Sequence, residues 1–133
     1  MKILLDTNVL IAAFVARGVC ADLLEHCIER HDLFTSEFIL EEFAVKLVGK
    51  FKAEPGAARE ATQLLRSRLT VVSHTPLALP VCRDPDDDNI LAAAASAECD
   101  CVITGDKDLL VLKQFRSCLI LSPSDFLRAE IEG

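Results

Sequence analysis

Carboxylates dominate the side chains that could do chemistry. Asp6 closes the apolar run Ile3-Leu4-Leu5, and Asp106 closes Cys101-Val102-Ile103-Thr104-Gly105. Four of the five positions from 84 to 88 are Asp84, Asp86, Asp87 and Asp88, and Glu42 lies within Phe38-Ile39-Leu40-Glu41-Glu42-Phe43. Like charges this dense repel, so either their pKa values rise or a hard cation sits among them. No His/Cys ligand pattern accompanies them, which favours Mg²⁺ or Mn²⁺ over zinc. Metals held by carboxylates suit phosphate chemistry: they hold the phosphate, acidify an attacking water and stabilise the leaving oxygen. The chain lacks G-x-x-x-x-G-K-[ST] and any Gly-rich phosphate loop, which disfavours a nucleoside-triphosphate engine. Phosphodiester hydrolysis needs neither.

Such acids act together only if the fold gathers them. Ile3-Leu4-Leu5 suits a strand buried on both faces of a parallel sheet. Asp6 then stands at its carboxyl end, where open α/β sheets place ligands. Asp6-Thr7-Asn8 is equally a helix start, continued by Val9 to Phe14, so Asp6 alone reads as a cap. Cys101 to Asp106 repeats the pattern. Asp84-Pro85 is a helix N-terminus, and acids in its first turn complement the helix dipole. Capping accounts for one or two of these aspartates, not four. The carboxyl ends of neighbouring strands share a rim, so Asp6, Asp106 and the 84–88 group converge by topology. Glu42 joins them only if its helix crosses that rim. This helix, Glu37 to Lys50 capped by Ser36, has an apolar stripe of Ile39, Leu40, Phe43 and Leu47. Glu42 follows Phe38 and Ile39 by one turn and lies nearer the stripe; Glu41 follows Glu37 and faces water.

Around these stations the spacing predicts a helix over Cys20 to Arg30 after a break at Gly18, and a short strand Asp32-Leu33-Phe34-Thr35. A break at Glu54-Pro55-Gly56 precedes a helix over Ala57 to Arg68 and a strand over Leu69 to Val72. Ser73 to Cys82 reads as a loop, and the alanine run after Ile90-Leu91 as a packing face. Lys107 to Lys113 reads as a helix, Ser117 to Leu121 as a strand, and Ser122 to Ala129 as a last helix. The whole is an α/β domain with helices on both faces of a parallel sheet.

At 133 residues, 51% of them hydrophobic and none Trp or Tyr, the chain is expected to be one domain over 1–133 with a sizeable core. No apolar run approaches the ~20 residues that span a bilayer, and Asp6 interrupts the first before it could be a signal peptide. The expectation is a soluble, cytoplasmic protein without a membrane. The six cysteines, among them Cys99-Asp100-Cys101, lack C-x-x-C spacing and read as reduced core thiols. A net charge of −7 argues against coating nucleic acid by bulk electrostatics, but not against meeting phosphate through bound cations.

Five segments in order resemble a family. They are Leu5-Asp6-Thr7-Asn8-Val9-Leu10, Ser36-Glu37-Phe38-Ile39-Leu40-Glu41-Glu42-Phe43, Arg83-Asp84-Pro85-Asp86-Asp87, Val102 to Leu110 with Thr104-Gly105-Asp106, and Ile120 to Leu127. Nearly the whole chain is similar to PIN-domain ribonucleases, in particular the small prokaryotic kind that act as toxins of toxin–antitoxin pairs. The resemblance implies a three-layer α/β/α sandwich around a central parallel sheet. It implies that Asp6, Glu42, Asp87 and Asp106 bind one or two Mg²⁺ or Mn²⁺ ions, with Asn8 and Thr104 orienting carboxylates or substrate. One alignment of the third acidic station selects Asp87, another Asp88; Asp87 is preferred, with Asp84 and Asp88 as accessory ligands. The implied reaction is hydrolysis of single-stranded RNA to a 5′-phosphate and a 3′-hydroxyl. An antitoxin protein and a homodimer are the partners it suggests. Lys46, Lys50, Lys52, Arg59 and Lys107 are candidate RNA contacts, with ordinary surface solvation as the alternative for each.

Two other readings remain. An aspartyl-phosphate phosphatase also begins with a strand ending in Asp, but needs a second Asp two residues on; here that residue is Asn8. A non-catalytic module of the same fold would keep the carboxylates only for a cation or a partner.

Overall fold

The computed structural model describes every residue except Arg17, His74 and Gly133. His74, within the expected loop from Ser73 to Cys82, and Gly133, at the end of the expected domain, therefore lie outside the described residues. Ile3, Leu4 and Leu5 form β1 (Lys2–Leu5) and are at most 1% exposed, as a strand covered on both faces must be. The chain continues as α1 (Thr7–Val15), α2 (Val19–Arg30), β2 (Asp32–Ser36), α3 (Glu37–Gly49), α4 (Pro55–Arg68) and β3 (Thr70–Val72). It ends with α5 (Pro85–Ser96), β4 (Cys101–Ile103), α6 (Lys107–Leu110), β5 (Gln114–Phe115), β6 (Cys118–Leu121) and α7 (Pro123–Glu132).

One sheet has the order β3-β2-β1-β4-β6-β5. From β1 the chain steps outward through β2 to β3, then crosses back to β4 and steps the other way. Right-handed crossovers place α1 to α4 on one face and α5 on the opposite one, giving three layers. α5 packs on β1 and β2, and α7 returns to α2. The winding reverses between β1 and β4, the position where doubly wound sheets open a crevice for ligands. Leu10, Leu23, Leu40 and Phe43 fill the core on one side; Leu91 and the run Ala92, Ala93, Ala94 are buried on α5. The small alanine side chains let α5 approach the sheet closely, the packing role expected of them.

Several boundaries differ from the sequence reading. The sheet is mixed, because Gln114 and Phe115 pair antiparallel with Leu119 and Cys118. The expected helix to Lys113 stops at Leu110, since Lys113 (φ 62°) and Arg116 (φ 56°) take left-handed turns that fold the chain into this hairpin. Glu54-Pro55-Gly56 is a helix start rather than a break: Glu54 is the N-cap of α4 and Pro55 its first residue, where a missing N–H costs nothing. α7 runs to Glu132, past the expected end at Ala129. The cysteines are free, with Cys27, Cys99, Cys101 and Cys118 buried. Burial pushes the thiols of Cys99 and Cys101 up to about 12, which keeps them protonated and unreactive.

Candidate functional site

The Asp6 amide donates to the Ile103 carbonyl at 3.0 Å, carrying the β1–β4 ladder one residue beyond the strands. The Asp6 carboxylate is thereby held at the switch point, and is only 5% exposed. Asp6 occupies the N-cap position of α1, yet among the described residues its side chain makes no capping bond. Its Oδ2 instead accepts the Thr104 hydroxyl at 2.7 Å, and Thr104 Oγ1 in turn accepts the Asp106 amide at 3.0 Å. Asp106 caps α6 through Oδ1, which accepts the Asp108 amide at 2.9 Å. Asp84 caps α5 in the same way, accepting the Asp86 amide at 2.9 Å.

These aspartates meet in a cavity of about 140 Å³ lined by Asp6, Glu42, Asp84, Asp86, Asp87 and Asp106, together with Asn8, Lys46 and Ile90. Helix α3 therefore does cross the rim. Glu42 turns inward with its side chain 18% exposed, and Glu41 lies on the exposed face. Among the described residues, Lys46 is the one cation lining the cavity; its Nζ is 4.0 Å from Glu42 Oε2 and 3.4 Å from Asn8 Oδ1. Six carboxylates thus face one ammonium. Asp87, Asp106 and Asp108 each offer an oxygen within 4.8 Å of the others, and Asp108 also pairs with Arg83 at 2.8 Å.

The charge imbalance is written into the acidities. Burial, followed by the charge of Asp106 and a hydrogen bond to it, then the charges of Asp84 and Asp6, pushes the Asp87 carboxyl up to about 7. Burial also raises Asp6, opposed by its bond to Thr104 and by the nearby Thr7 amide, and reinforced by Glu42 and Asp106. A divalent ion reverses these shifts, because it stabilises the ionised forms that the cavity alone penalises. The donors are all oxygen, the set preferred by hard ions such as Mg²⁺ and Mn²⁺. The residues present fit such an ion.

The expected residues separate into those the fold gathers and those it does not. Asp6, Glu42, Asp84, Asp87 and Asp106 share the cavity with Asn8 and Lys46. Asn8 faces the Lys46 ammonium, and Thr104 lies fully buried behind Asp6. Asp88 is turned away: its carboxylate accepts the amides of Val81 and Cys82, at 2.8 Å for the latter. Asp88 follows Asp87 by about 100° around α5, and its carboxylate, engaged by these amides, does not line the cavity. Lys50 sits at the C-cap of α3 over the Phe51 ring, Lys107 is exposed in the first turn of α6, and Arg59 lines a separate hollow between α3 and α4. None of these three lines the cavity, and neither does Lys52. The sequence reading includes Asp86 in the acidic group but not among the ligands, and does not single out Asp108. First-turn position and the i, i+2 relation to Asp84 and Asp106 were the available signals.

Comparison with known proteins places this geometry. The family profile described as PIN domain matches residues 2–108. An uncharacterized protein of Methanocaldococcus jannaschii is 30% identical over 118 residues, which are 85% of this chain and 76% of that protein. Among solved structures, VapBC2 from Rickettsia felis, bound to a DNA fragment from its promoter, superposes with a TM-score of 0.64 at 16% identity. The match covers 92% of this chain and 98% of that one. VapC20 from Mycobacterium tuberculosis, described as a sarcin-ricin loop cleaving toxin, superposes with a TM-score of 0.61 at 14% identity. It covers 85% of this chain and 96% of that one. Identities this low carry the fold alone.

Proposed function

The chain belongs to the PIN-domain family, and on that premise we propose that it is a metal-dependent endoribonuclease, the toxin of a toxin–antitoxin pair. The observation that carries this reading is the convergence of six carboxylates around a small cavity at the sheet's switch point. Asp6, Glu42, Asp87 and Asp106 would hold one or two Mg²⁺ or Mn²⁺ ions, with Asp84 and Asp86 at hand on the first turn of α5. When bound, such ions polarise a phosphodiester and lower the pKa of an attacking water.

The protein's own groups do the rest. Thr104 holds the Asp6 carboxylate in one orientation, its proton committed to Oδ2, so the other oxygen is left for a cation. Lys46, steadied by Asn8, supplies a positive charge beside the acids where a phosphate would enter. The expected products are a 5′-phosphate and a 3′-hydroxyl. Single-stranded RNA is favoured as substrate because the one lining cation can serve one backbone, while the net charge of −7 discourages broad contact with a duplex. That VapC20 is described as cleaving the sarcin-ricin loop supports RNA as the target. That VapBC2 is a complex supports an antitoxin partner. Among the described residues no single helix is long and apolar enough to cross a membrane. A phosphatase is disfavoured, since Asn8 cannot serve as general acid and its amide oxygen faces Lys46.

The test is cleavage of a fluorescent single-stranded RNA by purified protein with Mg²⁺ or Mn²⁺. Cleavage should vanish with EDTA and in Asp6→Asn, while the circular dichroism of the variant is unchanged. Equal cleavage by the variant would overturn the assignment.

A further inference from the structure

A second cluster of metal-ligating atoms lies at the opposite rim of the sheet. His31 immediately precedes β2, so it stands at the amino ends of the parallel strands, whereas the carboxylate cavity occupies their carboxyl ends. His26 is on the last turns of α2, and Glu130 reaches in from α7. The His26 Nε2, His31 Nε2 and Glu130 oxygen atoms all lie within 4.8 Å of one another.

We propose that His26, His31 and Glu130 form a zinc site that clasps α7 to the C-terminal end of α2. Two imidazole nitrogens and one carboxylate oxygen are a donor set that zinc takes with a fourth position left open. Zinc–ligand bonds of about 2.0–2.1 Å set ligand atoms roughly 3.3 Å apart in a tetrahedron. His26 Nε2 and Glu130 Oε1 are 3.0 Å apart, and His31 Nε2 approaches the same oxygen. Both Nε2 atoms approach Oε1, so one ligand atom from each residue is already gathered within the span of a single ion.

The surroundings favour a cation. The negative end of the α2 dipole lies here, His31 being its C-cap. The His31 ring is held edge-on to Phe126 and near His26, with centroids 5.9 Å away in each case. The Met1 ammonium, 3.1 Å from the His31 Nδ1, is an opposing charge that binding must displace or deprotonate. The two imidazoles keep the Glu130 carboxylate below its ordinary range and therefore ionised. Without metal the cluster is a hydrogen-bonded network in which each Nε2–H donates to Oε1. Zinc takes the bare nitrogens: the His26 proton moves to its Nδ1, and at His31, whose Nδ1 faces the Met1 amine, one proton of that pair is released to solvent.

The experiment is calorimetric titration of chelator-treated protein with zinc chloride in the Asp6→Asn, Asp106→Asn background, where the carboxylate cavity is disabled. Cobalt chloride is titrated in parallel, read by its visible absorption. One equivalent of zinc should bind, with the absorption of four-coordinate cobalt and a rise in Tm. His26→Ala and Glu130→Gln should each weaken binding by about tenfold or more. His26 is one-third exposed at its side chain, so its removal leaves the fold intact, which melting without metal verifies. No zinc binding in this background, or binding unchanged by both substitutions, would overturn the site and leave a hydrogen-bonded cluster. Neither outcome bears on RNA cleavage.

Discussion

Thr104 ties the two strand-end aspartates together: its hydroxyl donates to Asp6 Oδ2 at 2.7 Å and accepts the Asp106 amide at 3.0 Å. Thr104 is fully buried, so both bonds are made out of water. Thr104→Val preserves the shape and deletes both. The unsatisfied Asp106 amide and the loosened Asp6 carboxylate should cost about 1–3 kcal/mol of stability and roughly 10- to 100-fold in metal affinity. Thr104→Ser should retain most of each. Urea unfolding and Mn²⁺ titration of the two variants separate these effects; equal behaviour of Val and Ser would show that the hydroxyl does not position Asp6.

The raised pKa values of Asp6 and Asp87 give a signed pH dependence. A carboxyl pushed up to about 7 in the folded protein binds its proton more tightly there than in the unfolded chain. From about pH 4 upward the native state holds the extra proton, so metal-free stability should fall as pH rises toward 7 and level off above it. Saturating Mg²⁺ or Mn²⁺ holds the carboxylates ionised and should abolish or invert that slope. Melting temperatures across pH 4.5 to 8.5 (about four units) with and without metal provide the check. A metal-free curve that rises through this window would contradict the burial argument.

Glu41 and Glu42 are neighbours with opposite surroundings. Glu42 lines the cavity and Glu41 faces solvent. Glu42→Gln should reduce RNA cleavage by at least about tenfold, one lost ligand being worth more than about 1.4 kcal/mol of transition-state stabilisation. Glu41→Gln should stay within about twofold. Comparable losses in both would mean that α3 serves substrate binding along its length and not metal binding at one point.

Asp6 and Asp106 were legible in the sequence because an apolar run that stops at a carboxylate has one structural meaning in a parallel sheet. The helix face of Glu42 was legible from its neighbours one turn back, but not the path of α3 across the rim, which depends on how α3 packs against α1 and α4. The β5–β6 hairpin was illegible for a different reason: Lys113 and Arg116 adopt positive φ without the Gly or Asn that signals such turns. Pro55 was misread because the residue that breaks a helix interior also begins one. Among the lysines, charge alone could not separate Lys46 from Lys50, four residues on along α3. Of these two, Lys46 is the one that hydrogen-bonds Asn8 among the described residues.

Asp87 and Asp88 offer the sharpest division of labour. Asp87 is buried in the cavity wall, while Asp88 accepts the Val81 and Cys82 amides and so anchors the segment that leads into α5. Asp87→Asn removes a metal ligand and relieves a buried, repelled carboxyl. It should abolish cleavage while leaving metal-free stability at neutral pH unchanged or higher. Asp88→Ala leaves two amides, one exposed and one part-buried, without their acceptor, at a cost of about 0.5–1.5 kcal/mol, and should lower the urea midpoint while Mn²⁺ affinity changes by less than about threefold. Titration and unfolding of both variants decide between the two alignments of the third acidic station. If Asp88→Ala loses metal binding and Asp87→Asn keeps it, the ligand is Asp88, and α5 must rotate by about 100° on loading.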